Sequence, residues 1–241
     1  MAADRYFASV RAPRYAVLFA LPLLLAYEAL VAASGATGGS VRNGADALFA
    51  AVFTAVAGPN GPVVFGGLLV GIGAWLAWRD RRGALKASWF AAMFAESVAL
   101  AVATAVVVGT VTAQLLGRVG LLAAGTGPVD ALSLVDRLTV SLGAGLYEEL
   151  LFRVVLVGGL TWVGRSALGW RDGAASAVAV AVSALVFSAF HYVGASGDAF
   201  TVASFTFRAL AGVWFSVLYV FRGFGIAAWT HALYDIGVLV L

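Results

Sequence analysis

Apolar residues along this chain come in long blocks, without the strict alternation of half-buried strands or the narrow stripe of surface helices. Blocks at residues 15–33, 62–78, 88–116, 134–163, 174–193, 200–221 and 225–241 approach or exceed the length a helix needs to cross a hydrocarbon core. Inside lipid a backbone must satisfy its own hydrogen bonds, so such blocks predict helices. Turn-forming runs separate several of them, notably Gly58-Pro-Asn-Gly-Pro62, Gly125-Thr-Gly-Pro128 and Gly194-Ala-Ser-Gly-Asp198. Residues 34–61 are Gly-rich, and within them 45–57 predicts a helix too short to span, hence interfacial or re-entrant. The expected fold is an all-α, polytopic transmembrane helical bundle of about seven spans plus an interfacial helix, one integral-membrane domain over residues 1–241.

Composition sharpens this. Hydrophobic residues make up 62% of the chain and charged ones 11%, against about 25% charged in soluble domains. A soluble globular domain is excluded. The net charge of +3 does not imply nucleic acid, because the basic residues are scattered over short loops. Most fall on the side of the N-terminus, among them Arg14, Arg79, Arg81, Arg82, Lys86, Arg165 and Arg222, with Arg42, Arg118 and Arg137 opposite. That asymmetry predicts a cytoplasmic N-terminus. Ala32-Ala-Ser-Gly-Ala36 resembles a signal cleavage site, but Tyr27 and Glu28 fit poorly in a signal's apolar region, so the first span is expected to stay. With no cysteine, disulfides, thiolate metal sites and a Cys nucleophile are all excluded. The Ala, Gly, Val and Arg usage suits a GC-rich prokaryote, hence a prokaryotic cytoplasmic membrane.

Against this apolar background one stretch stands out, Leu146-Tyr-Glu-Glu-Leu-Leu-Phe-Arg153, inside the block 134–163. Each charge near a helix centre costs about 2.5–3.5 kcal/mol on insertion scales, so Glu148, Glu149 and Arg153 would together cost roughly 8 kcal/mol facing lipid. Glu149 and Arg153 are i and i+4 and pair along one face. Glu148, about 100° around an α-helix, has no partner in its own segment. An unpaired intramembrane carboxylate is a functional candidate.

The only two histidines also lie in apolar blocks, in Phe187-Ser-Ala-Phe-His191 and His231-Ala-Leu-Tyr-Asp235. His231 and Asp235 share a helix face, which lets Asp235 hold the imidazole. Glu, His, His and Asp on three spans suffice to activate a water and stabilise an oxyanion. The same residue types permit a zinc site of Glu148, His191 and His231 with an open position, although no His-Glu-x-x-His motif is present. From another class, buried Glu and His residues serve proton-coupled transporters, or the chain acts by binding, as a bacteriocin-immunity membrane protein. Transport is disfavoured by the lack of paired Gly/Pro-broken spans in matching halves.

Glu-Glu-x-x-x-Arg, Phe-x-x-x-His and His-x-x-x-Asp, in that order and each in its own late span, resemble the CPBP (Abi) family, which includes the type II CAAX prenyl endopeptidases, glutamate-type intramembrane proteases. The motif-bearing core is about 134–241. The resemblance implies a hydrolase in which Glu148 is the general base, His191 helps hold the attacking water, and His231 with Asp235 forms the oxyanion side. Glu149 and Arg153 are then a supporting pair, and no metal or other cofactor is required. The family carries Asn or Asp in the last position. An ionised Asp only accepts hydrogen bonds, so Asp235 is expected to orient His231 and favour its imidazolium, leaving His231 as the donor. The implied partners are the lipid bilayer and a membrane-associated protein or peptide. Its identity is open, with a prenylated tail, a sorting-signal tail and a bacteriocin precursor all suited to the same residues.

The remaining polar and aromatic residues have plainer expectations. Glu28, Glu96 and Arg208, as charges within spans, are expected to satisfy one another or line a cavity. Trp75, Trp78, Trp89, Trp162 and Trp170 suit interfacial anchoring, and Phe187 and Phe190 suit packing.

Overall fold

The computed structural model describes residues 2–36, 41–80, 84–123, 132–194 and 197–240, and among them there is no strand. The Gly125–Pro128 turn, Arg81 and Arg82 lie outside the described residues. The chain is an all-α polytopic membrane bundle. Its elements are α1 (Ala2–Val10), α2 (Pro13–Ala36), α3 (Gly44–Ala57), α4 (Gly61–Arg79), α5 (Ala87–Ala123), α6 (Leu134–Gly143), α7 (Gly158–Ser166), α8 (Asp172–Phe190), α9 (Val202–Arg222) and α10 (Phe224–Leu239). Among the described residues five helical segments are long and apolar enough to cross a membrane: Pro13–Gly35, Gly44–Arg79, Ala87–Gly117, Asp172–Phe190 and Val202–Arg222. The charged block is one continuous helical run through α6, a π-helical middle and α7.

Lipid facing and protein facing surfaces differ as a membrane demands. Val102, Val106 and Leu115 of α5 and Leu185 and Val186 of α8 are exposed, whereas small polar side chains are buried. Most of those interior hydroxyls find a carbonyl, while among the described residues the Thr112 and Thr230 hydroxyls have no partner. Thr104 and Ser97 donate to the carbonyls one turn back in α5, and Ser183 and Ser188 donate across helices to the carbonyls of Phe152 and Phe205, both at 2.7 Å. With lipid as apolar as the core, such bonds and close packing of small residues hold the helices together.

Residues 45–57 form a helix, and it does not lie apart. The one-turn 3₁₀ segment Gly58–Asn60 folds α3 back on α4, so Phe49 stacks on Phe65 at 4.7 Å and Phe53 contacts the same ring at 5.2 Å. Helix α5 is interrupted at Gly117 (φ 74°, ψ 169°), where its apolar block ends. The N-terminal segment is also helical: Tyr6 of α1 donates to Glu96 of α5 at 2.8 Å, and Arg222 of α9 pairs with the same carboxylate. Trp75, Trp78, Trp162 and Trp170 are exposed near helix ends. Trp89 instead packs against Tyr6 and Tyr15.

Candidate active site

The site is built where the charged block leaves α-helical geometry. Residues Ala144–Glu148 and Leu150–Val157 are wound as π-helix, with Glu149 between them at φ −65°, ψ −36°. π-helical turns are rare and gather at functional sites, since their looser winding must be held by tertiary contacts. Here the contact is with α10. A Cβ on Gly145 would stand 2.4 Å from the Ala228 carbonyl oxygen and 2.6 Å from the Ala232 Cβ, so only glycine permits this approach. It brings the Glu149 carboxylate against His231.

Glu149 is the hub. Its Oε1 accepts from Nδ1 of His231 at 2.8 Å and stands 3.3 Å from Nη1 of Arg153. Glu149 and Arg153 are fully buried and His231 nearly so. A carboxylate only accepts, so Nδ1 of His231 carries a proton and Nε2 is left for other work. Asp235 Oδ2 stands 3.7 Å from that Nε2, a charge contact beyond hydrogen-bond range. The His231 ring is fixed from the side by stacking on Phe215 at 4.2 Å. Arg153 lies over the Phe187 ring at 4.6 Å and donates to the Gly212 carbonyl at 3.4 Å.

Glu148 is buried beside this hub and adds His191 and Asn43 to the groups around it. It interacts electrostatically with His191, His231 and Arg153, and its Oε1 accepts from Nδ2 of Asn43 at 2.9 Å. His191 sits one residue past α8, partly buried, with Nδ1 at 2.8 Å from the Phe187 carbonyl. Carbonyls also only accept, so this nitrogen carries the proton and Nε2 presents its lone pair. The structure therefore gathers Glu148, Glu149, Arg153, His191, His231 and Asp235 into one cluster. Phe187 is buried as packing, in edge contact with Phe152 at 5.2 Å, and Phe190 meets the same Phe152 ring at 5.5 Å.

Sequence reasoning missed two features. The contact between Glu149 and His231 joins residues far apart in the chain and has no local signature. Asn43 had a weak one, since Asn43-Gly-Ala-Asp46 has an N-cap residue with an acid three positions on. Glu28, Glu96 and Arg208 do not satisfy one another. Glu28 receives the Tyr147 hydroxyl at 3.0 Å and stands 3.6 Å from Arg42, Glu96 takes Arg222 and Tyr6, and Arg208 pairs with Asp198 and Ser204. Each finds a nearer partner elsewhere. Among the described residues no three His, Asp or Glu side chains are grouped to hold a metal ion.

Residues 130–237 match the family model described as type II CAAX prenyl endopeptidase Rce1-like. The matched segment contains all three motifs and supports the CAAX protease-like CPBP assignment that they carry. In general terms it supports an intramembrane endopeptidase of CAAX type acting on membrane-associated protein. No curated protein and no solved structure matches the chain.

Proposed function

We propose that this chain hydrolyses a peptide bond near the C-terminus of a membrane-associated protein or peptide, using a water activated by Glu148 and forming no covalent intermediate. The supporting observation is the convergence of Glu148, His191 and His231, from three helical elements, on one electrostatically linked cluster inside the bundle.

The hydrogen bonds within the site support the following order of steps. Nδ1 of His191 is committed to the Phe187 carbonyl, so its Nε2 accepts one water proton as a hydrogen bond. Glu148 removes the other proton while the water oxygen bonds to the substrate carbonyl carbon. The C=O π pair moves onto oxygen, and His231, as an imidazolium with its second proton on Nε2, donates to that oxyanion, a contribution of about 3–4 kcal/mol. Glu149 fixes the ring through Nδ1, and Asp235 attends the Nε2 edge. When the C=O bond reforms, the C–N bond breaks and Glu148 returns its proton to the leaving nitrogen, yielding an acid and an amine. Burial strengthens each of these contacts because the local dielectric is low.

The test is a panel of C-terminal peptides, with and without a lipid anchor, offered to protein reconstituted in vesicles, with products read by mass spectrometry. Cleavage of anchored peptides by the wild type, lost in Glu148→Ala and in His191→Ala, is the expected result. Retained turnover in either variant overturns the mechanism.

A further inference from the structure

We propose that Asn43, at the start of α3, is a positioning residue for Glu148 that reserves one carboxylate oxygen for the proton taken from water. The inference rests on the glutamate-activated hydrolysis above and adds a residue from outside the matched segment 130–237.

The amide cannot be reversed without losing its cap. Asn43 is the N-cap of α3, and its Oδ1 accepts from the Ala45 backbone N–H at 2.8 Å. With the acceptor end occupied, the donor end Nδ2 is the one that meets Glu148 Oε1, at 2.9 Å. The backbone beneath it is held as well. The Asn43 N–H donates to the Tyr27 hydroxyl at 3.2 Å, and that hydroxyl donates to Asp46 Oδ2 at 2.7 Å. Arg42 Nη1 reaches the same Asp46 oxygen at 2.5 Å. Gly143, one helical turn before Glu148, gives Asn43 its room: a Cβ there would stand 2.6 Å from the Asn43 Cβ and 2.7 Å from the Tyr27 ring.

The chemical consequence follows from the two oxygens being unequal. Oε1 takes the amide proton as a hydrogen bond and serves as acceptor throughout. Oε2 keeps its lone pairs for the water, becomes the hydroxyl when Glu148 is protonated, and passes the proton on to the leaving nitrogen. An amide suits this place because it donates strongly without itself exchanging a proton in the reaction. Helix α3 thereby becomes a wall of the site, tied to the catalytic carboxylate by the residue that starts it.

Asn43→Ser and Asn43→Thr keep a capping acceptor and remove the reach of Nδ2, whereas Asn43→Ala removes both. In the purified full chain, with Glu148→Gln alongside, kcat is expected to fall roughly 10- to 100-fold in both capping variants, the loss of one hydrogen bond to a charged group. KM stays within about twofold, because Asn43 binds no substrate. If capping is its only role, the Ser and Thr variants turn over as the wild type does and only Asn43→Ala fails, which overturns the inference. Infrared pH titration reads the contact without turnover: Glu148→Gln identifies the carboxyl band, which shifts in Asn43→Ser if the contact exists and stays in place if it does not. Full turnover in Glu148→Gln would overturn the hydrolytic reading itself, whereas a dead Glu148→Gln beside active Ser and Thr variants overturns the Asn43 role alone.

Discussion

Nδ1 of His231 donates to Oε1 of Glu149 at 2.8 Å, joining α10 to the π-helical segment across 82 positions of sequence. The same oxygen is 3.3 Å from the Arg153 guanidinium, so one buried carboxylate orients an imidazole and neutralises an arginine. Glu149→Ala strands Arg153 without its counter-charge, and removing one member of a buried pair costs about 3–5 kcal/mol. Thermal unfolding in detergent is expected to show that loss. Glu149→Gln removes the counter-charge as well but keeps the volume and a carbonyl acceptor, so it recovers only part of that stability while turnover falls roughly 10-fold or more from a less firmly held His231.

The Gly145 contact with α10 makes a separate prediction. Gly145→Ala places a methyl against the Ala228 backbone and the Ala232 side chain, where neither can swing away. Overpacking of this kind costs about 1–3 kcal/mol, and separating the helices carries His231 away from Glu149. Unfolding temperature and kcat are expected to fall together, whereas Gly159→Ala, which meets nothing within 4 Å, leaves both near the wild type.

His191 lies at a helix end and is partly exposed, and its side-chain hydrogen bond is local, to the Phe187 carbonyl. His191→Ala is expected to leave the unfolding temperature nearly unchanged and to lower kcat by roughly 10²–10⁴-fold, the range of general acid–base contributions. Rates measured on an anchored peptide, beside unfolding curves, check both halves of that statement.

Alkaline stability tests the anchoring of α1. Burial, and then the hydrogen bond to Glu96, push the Tyr6 phenol above its ordinary value. The folded protein therefore holds this proton more tightly than the unfolded chain. Its contribution is fully present below about pH 10 and is lost as pH rises above that value. Tyr6→Phe is expected to flatten the decline of unfolding temperature above pH 10 while leaving peptide turnover at neutral pH unchanged.

The long apolar blocks made the membrane helices legible, because lipid permits few alternatives to a helix. Expected 88–116 ends where α5 is kinked at Gly117, and expected 174–193 meets α8 at Asp172–Phe190. The polar N-terminus hid α1, which buries Val10 and is tied by Tyr6 to Glu96, where Arg222 also pairs. The residues of the site were legible as charges that lipid would not tolerate. Their arrangement was less so: Asp235, one turn from His231, was the evident partner by spacing, yet the 2.8 Å contact goes to Glu149. Likewise the 105-residue separation between Asn43 and Glu148 leaves no periodicity to read. The π-helical winding was equally hidden, since it depends on how closely α10 approaches Gly145.

The most direct test of the account is cleavage of a membrane-anchored C-terminal peptide by the purified protein, with and without a strong chelator, beside Glu148→Gln. Cleavage that survives chelation and is abolished in Glu148→Gln is the predicted result, with Glu148 as the base that activates water. Cleavage lost to chelation and restored by added zinc would contradict it, and would make Glu148 and the two histidines ligands instead.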